Sequence, residues 1–295
     1  MRVLIHFFHE MYGYTMSNMM VRIIVGLIGI PFLVWIMLHG GYGFLFFTVS
    51  IAALAQWEFY KAARHKGYQP MEWMGIIAGA IYLASVSTVG LVPFSAEFII
   101  GTMVLLTCMA EVFRQRSTAL ANVMTTIGGF VYIPFMIGFF HLMQHYFLEH
   151  YHTGGRLFTV ILFAGIWLCD SAAYFSGKFL GKHKLLERVS PKKTWEGAIG
   201  GFIFCIAGVY GLSQWLLTPA LSPIFIVLTG AIIGTIGQIG DLFESLIKRD
   251  AQIKDSSGIL PGHGGILDRF DSALFVAPAV WILIMIYHYL ELPIW

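Results

Sequence analysis

Residues 224–271 read IFIVLTGAIIGTIGQIGDLFESLIKRDAQIKDSSGILPGHGGILDRFD. The first 17 residues carry no charge, and the next 31 carry ten: Asp241, Glu244, Lys248, Arg249, Asp250, Lys254, Asp255, Asp268, Arg269 and Asp271. A second uncharged run, residues 273–290, follows at once. Apolar runs of this length suit the hydrocarbon core of a bilayer. The charged block between them therefore reads as a segment held at one membrane face. A chain that concentrates charge there does so for topology, or for chemistry on a charged substrate.

The rest of the sequence repeats the pattern. It has 295 residues, 58% hydrophobic and only 12% charged, about half the charge of a soluble domain, and its mean hydropathy is +0.75. Nine apolar runs are predicted to cross the membrane: residues 23–38, 44–59, 74–91, 98–112, 123–143, 158–175, 198–217, 224–240 and 273–290. The fold class is thus all-α and polytopic, and a soluble enzyme is excluded. A net charge of +2 offers nothing to nucleic acid. Cys108, Cys169 and Cys205 lie inside apolar runs and read as packing thiols. No cleavable leader is evident, because His6, His9 and Glu10 interrupt the first apolar piece. Residues 1–19 read as a dispensable or interfacial extension, and residues 20–295 as one transmembrane catalytic domain.

Orientation follows from Lys and Arg. With the N-terminus in the cytoplasm, every one of the 18 basic residues except Arg156 falls inside, as the positive-inside rule requires. An odd number of spans then puts the C-terminus outside. Residues 170–197 and 241–271 share the cytoplasmic face, within reach of soluble nucleotides.

Two groups of residues there suit phosphate chemistry. Asp241, Ser245 and Lys248 share one helical face. Asp268 and Asp271, with Arg269 between them, open the last helix. Three carboxylates from two helix ends suit a hard divalent cation such as Mg²⁺. The plainer reading is ion pairing, of Asp241 or Glu244 with Lys248 and of Asp268 with Arg249. Between them lies Pro261-Gly262-His263-Gly264-Gly265, whose glycines let backbone N–H groups approach an anion. In the second group Asp170 precedes Tyr174 by one turn, and a basic loop follows. Ser190-Pro191-Lys192-Lys193-Thr194 places two ammoniums between two hydroxyls, a pattern that suits a phosphate. Thr194 serves equally as a helix N-cap, and the lysines equally as a topological anchor. Glycines 230, 234, 237 and 240 read as helix-packing contacts, and there is no P-loop motif.

Ser245-x-x-Lys248-Arg249, Lys254-Asp255 and Leu260-Pro-Gly-His-Gly-Gly-Ile-Leu-Asp268-Arg269-Phe-Asp271 resemble the signature of the phosphatidate cytidylyltransferases. Asp170-Ser-Ala-Ala-Tyr174, residues 190–197 and Trp57-Glu58 are similar to that family too. The resemblance implies a helical membrane enzyme, commonly a homodimer, in a bacterial inner membrane. It would catalyse CTP + phosphatidate → CDP-diacylglycerol + pyrophosphate with Mg²⁺, and with room for a second, monovalent cation. It implies Asp241 and Asp268 as metal-bearing acids with Asp271 in support. Lys192, Lys193, Lys248 and Arg249 would bind the phosphates of CTP or lipid, with a hydrogen bond from His263. The rival readings are a CTP-dependent polyprenol or phytol kinase, a cation-coupled transporter using Asp170 and Asp241, and a non-catalytic scaffold. A chain lacking residues 1–15 is expected to retain full cytidylyl transfer when assayed in detergent–lipid micelles; loss of that activity would show the extension to be required.

Overall fold

A computed structural model of the protein describes residues 18–88, 95–151, 154–217, 221–259 and 264–294, with side chains from residue 26 onward. Among the described residues, nine helical rods carry the chain: α1 Asn18–His39, α2 Gly41–His65, α3 Glu72–Ser87, α4 Ala96–Arg114, α5 Ala119–Tyr151, α6 Gly155–Leu180, α7 Trp195–Leu216, α8 Pro223–Asp250 and α9 Leu267–Tyr289. Seven of them, α2 and α4 to α9, are long and apolar enough to cross a membrane. The apolar part of α1 (Gly26–His39) and α3 are shorter. The chain is thus a helical, polytopic membrane protein. The predicted extension, residues 1–19, lies outside the described residues except for the first two positions of α1.

Several boundaries differ from expectation, each for a local reason. Helix α2 runs on to His65, past Lys61 and Arg64, because a helix may leave the bilayer without ending. The polar, His-rich stretch 145–156, between the spans expected at 123–143 and 158–175, reads as a loop in the sequence, yet it is helical to Tyr151. Helix α5 also passes through Pro134, which removes one backbone donor. The chain accommodates it with a π-turn at Val131–Phe135. That turn carries buried Tyr132 to within 5.4 Å of the Phe243 ring and 6.3 Å of the Phe275 ring. A second π-turn, Ile233–Gly237, interrupts α8. The basic stretch after α6 holds a two-stranded antiparallel hairpin, β1 (Lys184–Leu186) and β2 (Ser190–Thr194), paired Lys184 to Thr194 and Leu186 to Ser190.

Packing makes α9 the central rod. It supplies Val276, Ala277 and Val280 to a core shared with α6, α7 and α8, and Leu267 and Leu274 to a second core shared with α2, α3 and α5. The outer faces carry exposed Trp35, Phe46, Trp73, Phe113, Phe179 and Trp215, which suits a lipid surroundings. Small residues set the helix spacings, as read from the sequence. A Cβ at Gly230 or Gly234 would meet the Ile206 or Phe202 backbone at 2.8 or 2.9 Å, and one at Gly240 would meet the Asp271 carbonyl at 2.8 Å. The α8–α9 crossing at Gly240 fixes the separation of Asp241, the next residue, and Asp271, whose own carbonyl makes the contact. Gly240→Ala is therefore expected to cost about 1–3 kcal/mol through overpacking. Thermal unfolding in detergent should show it against Gly101→Ala, where a Cβ meets nothing within 4 Å; equal midpoints would refute the close crossing.

Candidate active site

The polar residues gather where the C-terminal ends of α2, α6 and α8 meet the N-terminal end of α9. The hairpin lies across them. Its base is fixed to α7: Thr194 Oγ1 accepts from Gly197 N at 3.2 Å as the N-cap. Glu196, in the first turn, accepts from Lys182 N at 3.1 Å and pairs with His183 Nδ1 at 2.6 Å. The hairpin reaches α8 twice, through Arg249 Nε to the Val189 carbonyl at 3.4 Å and through Lys193 to Asp241 Oδ2 at 2.5 Å. The Thr194 hydroxyl is therefore engaged in capping. On the same strand Lys192 is exposed and Ser190 half-buried.

Two charged clusters result. In the first, Asp170 of α6, Asp241 of α8 and Asp271 of α9 are electrostatic neighbours. Asp271 is buried and Asp170 exposed. Lys193 faces all three acids, and Arg269 faces Asp170. Three carboxylates thus share one ammonium and one guanidinium. The Tyr132 hydroxyl, buried and without a hydrogen-bond partner among the described residues, is a neighbour of Asp241, Glu244 and Asp271.

The second cluster centres on Lys248, whose ammonium donates to Asp268 Oδ1 at 2.5 Å and pairs with Glu244 one turn earlier on α8. Glu244 is 1% exposed. Its cationic partner among the described residues is Lys248. Asp268 Oδ2 collects three donors: Gly265 N at 2.7 Å, Ser256 Oγ at 2.8 Å and Ser256 N at 3.2 Å. Behind them stands Glu58 of α2, fully buried. It accepts from Leu267 N at 2.8 Å, Ser256 Oγ at 2.9 Å and Ile266 N at 3.0 Å, and from the Ser257 hydroxyl.

Most of the residues singled out in the sequence share this face, though not as one ligand set. Asp241 sits with Asp271 and Lys193, while Asp268 sits with Lys248 and Glu244. Among the described residues, no three His, Cys, Asp or Glu side chains stand together as ready metal ligands. The Asp268 partner is Lys248 and not Arg249, because Arg249 turns to the hairpin. Ser245 is half-buried on α8, while Lys254, Asp255 and Tyr174 are exposed. The glycine turn brings a backbone N–H to an anion as expected, but the anion is the protein's own Asp268. Gly264 takes φ +81° there. His263 lies outside the described residues. Glu58 and Ser256 are not among the functional residues expected from the sequence; the signals for Glu58 are its place as a lone acid at the end of an apolar run and the Trp57-Glu58 resemblance. A cavity of about 530 Å³ lined by His141, His145 and Arg156 lies at the opposite helix ends and holds none of the site residues.

The donor set is all hard oxygen, and each acid cluster is held by side-chain cations. Mg²⁺ needs only one or two protein carboxylates, completing its shell with water and phosphate oxygens. Asp241 and Asp268 fit that requirement without a preformed cage. Breaking the Lys248 pair leaves a buried charge uncompensated. Lys248→Met is therefore expected to destabilise the protein by about 3–5 kcal/mol. Adding Glu244→Gln should recover most of the loss in denaturant unfolding; strictly additive losses would show that the two groups do not depend on each other.

Comparison with known proteins places this geometry. Residues 20–287 match the model of the Cytidylyltransferase family. A phosphatidate cytidylyltransferase from Synechocystis is 31% identical over 290 residues, covering 90% of this chain and 96% of that one. One from Brucella suis is 32% identical over 274 residues, covering 90% and 93%. One from Bacillus subtilis is 45% identical over 147 residues, covering 48% and 54%. With the described part of the signature, residues 245–259 and 264–271, at the meeting of four helix ends, the chain belongs to the cytidylyltransferase family.

Proposed function

We infer that this protein transfers the cytidylyl group of CTP to phosphatidate, giving CDP-diacylglycerol and pyrophosphate. The observation that carries the reading is the arrangement at the α8–α9 junction. There Asp241 and Asp268 each stand against a Lys, beside an exposed basic hairpin. The relatives that span nearly the whole chain are named for this reaction.

Phosphatidate brings its own nucleophile, because its phosphate monoester oxygen is anionic and needs no strong general base. That oxygen attacks the α-phosphorus of CTP in line. A new P–O bond forms, the bond from the α-phosphorus to the bridging oxygen breaks, and pyrophosphate leaves with the electron pair. Such transfers depend mainly on positioning and charge neutralisation. Mg²⁺ on Asp241 and Asp268 supplies that neutralisation when bound. Lys192, Lys193, Lys248 and Arg249 hold phosphate oxygens of CTP and lipid, and His263 donates to another. Lys193 and Lys248 stand on Asp241 and Asp268, and in this reading would transfer to the phosphates as these arrive. Asp271 supports Asp241 from behind.

The lipid tails remain in the bilayer, so the site opens sideways. Exposed Tyr174, Phe175, Phe179 and Trp195 beside the hairpin give that opening an aromatic rim of the kind favoured at headgroup level. Lys178 adds an ammonium 5.9 Å from the Tyr174 ring centre. The same reading has nine crossings with the N-terminus in the cytoplasm, a site facing the cytoplasm of a bacterial inner membrane, a homodimer, and a monovalent cation beside the Mg²⁺.

The test uses purified protein in detergent–lipid micelles with phosphatidate, Mg²⁺ and CTP labelled at the α- or the γ-phosphate. The α-label is expected in the lipid phase, with one pyrophosphate released per lipid. Asp268→Asn should lower the rate by at least a hundredfold while the protein stays folded. Entry of the γ-label into lipid instead would establish a kinase.

A further inference from the structure

We infer that Glu58 is the positioning residue of the site: through Ser256 and the first turn of α9 it fixes the carboxylate of Asp268. The inference rests on the reading of Asp268 given above, and extends it to a residue some 200 positions away in the chain.

Three observations lead there. Glu58 is fully buried, yet no Lys, Arg or His pairs with it among the described residues. A buried carboxylate in that position is costly and persists only where donors replace water. All four of its donors come from Ser256 and Ser257, midway along the segment that joins α8 to α9, and from Ile266 and Leu267, where α9 begins. The carboxylate therefore closes that segment like a clasp, and the clasp is anchored on a different helix.

The second observation concerns the α9 N-terminus, where backbone N–H groups point at any nearby acid. Asp268 is the second residue of α9, and a carboxylate there ordinarily turns back on its own helix end. Glu58 already occupies the Ile266 and Leu267 N–H groups. Asp268 therefore reaches past them, with Oδ2 on Gly265 N and Ser256 and Oδ1 toward Lys248.

The third observation is the tightness of the contact. The Ser256 hydroxyl lies 2.9 Å from Glu58 and 2.8 Å from Asp268, so one proton serves two carboxylates and couples their positions. A Cβ on Gly265 would come within 1.8 Å of that hydroxyl and 2.6 Å of Glu58. Only glycine admits this approach.

The experiment compares Glu58→Gln, Ser256→Ala and the double variant in the full-length protein. It measures unfolding midpoint, kcat, KM for CTP, and amide hydrogen exchange of a peptide spanning residues 264–268. Ser256→Ala keeps every charge and every backbone bond, so it decides the matter should Glu58→Gln fail to fold. Each folded variant is expected to lose at least tenfold in kcat with KM for CTP changed less than threefold. The double variant should be no worse than the poorer single one, and exchange at Gly265 to Leu267 should quicken. A kcat within twofold of wild type in Ser256→Ala, or losses that multiply in the double variant, would overturn the inference. So would unchanged exchange in all three. The exchange readout needs no substrate, so an inactive wild type would count against the reaction and leave this placement to be decided by exchange alone.

Discussion

A carboxylate at the end of a membrane-crossing helix is tolerable only while a cation or several donors face it. This chain has few charges to spend, and it places many of them against one another at one set of helix ends. Lys193 faces Asp241, and Lys248 faces Asp268 and Glu244. Glu58 has no cation against it among the described residues and relies on four donors from the loop and the start of α9. The helix positions follow from this demand as much as from apolar packing: α2, α6, α8 and α9 must end where their acids can be answered. The hairpin must then reach back across α8 to deliver Lys193.

The same pairs explain why the site is both stable and reactive. An ammonium on a carboxylate is a strong, short contact in a half-buried place, and either group accepts a better partner when one comes. In the proposed reaction, triphosphate would offer that partner to the lysines, and a divalent cation would offer it to the acids. Such an exchange would conserve charge within the site, so substrate would enter without leaving an acid exposed to hydrocarbon. The π-turns in α5 and α8 serve this arrangement, since the first carries Tyr132 to the back of the acid cluster.

The apolar architecture was readable from the sequence because charge is so sparse that every gap between runs stands out. The positions of Asp241, Asp268, Lys193 and Lys248 near one face followed from the same gaps. What did not follow was pairing. Lys248 has Glu244 one turn away and Asp268 twenty residues on, and local spacing alone does not say that Arg249 turns instead to Val189. The hairpin at 184–194 is short and rich in lysine, so it shows neither alternation nor strand propensity. The role of Glu58 is a contact over about 200 residues; Trp57-Glu58 carries a family resemblance, but nothing near it in the chain names its partners. Helix α5 runs through His145 to Tyr151 because tertiary contacts, such as the 3.1 Å bond from Tyr146 to His288, outweigh the polarity that suggested a loop.

The exchange of partners at Asp241 and Asp268 is the central claim, and binding of Mn²⁺ in place of Mg²⁺, followed by electron paramagnetic resonance, tests it most directly. If Lys193 and Lys248 guard the acids until phosphates draw them off, Mn²⁺ binds the free protein weakly. It then binds at least tenfold more tightly in the presence of CTP, and Asp241→Asn or Asp268→Asn removes that gain. Tight Mn²⁺ binding without nucleotide, or a gain untouched by either substitution, would contradict it.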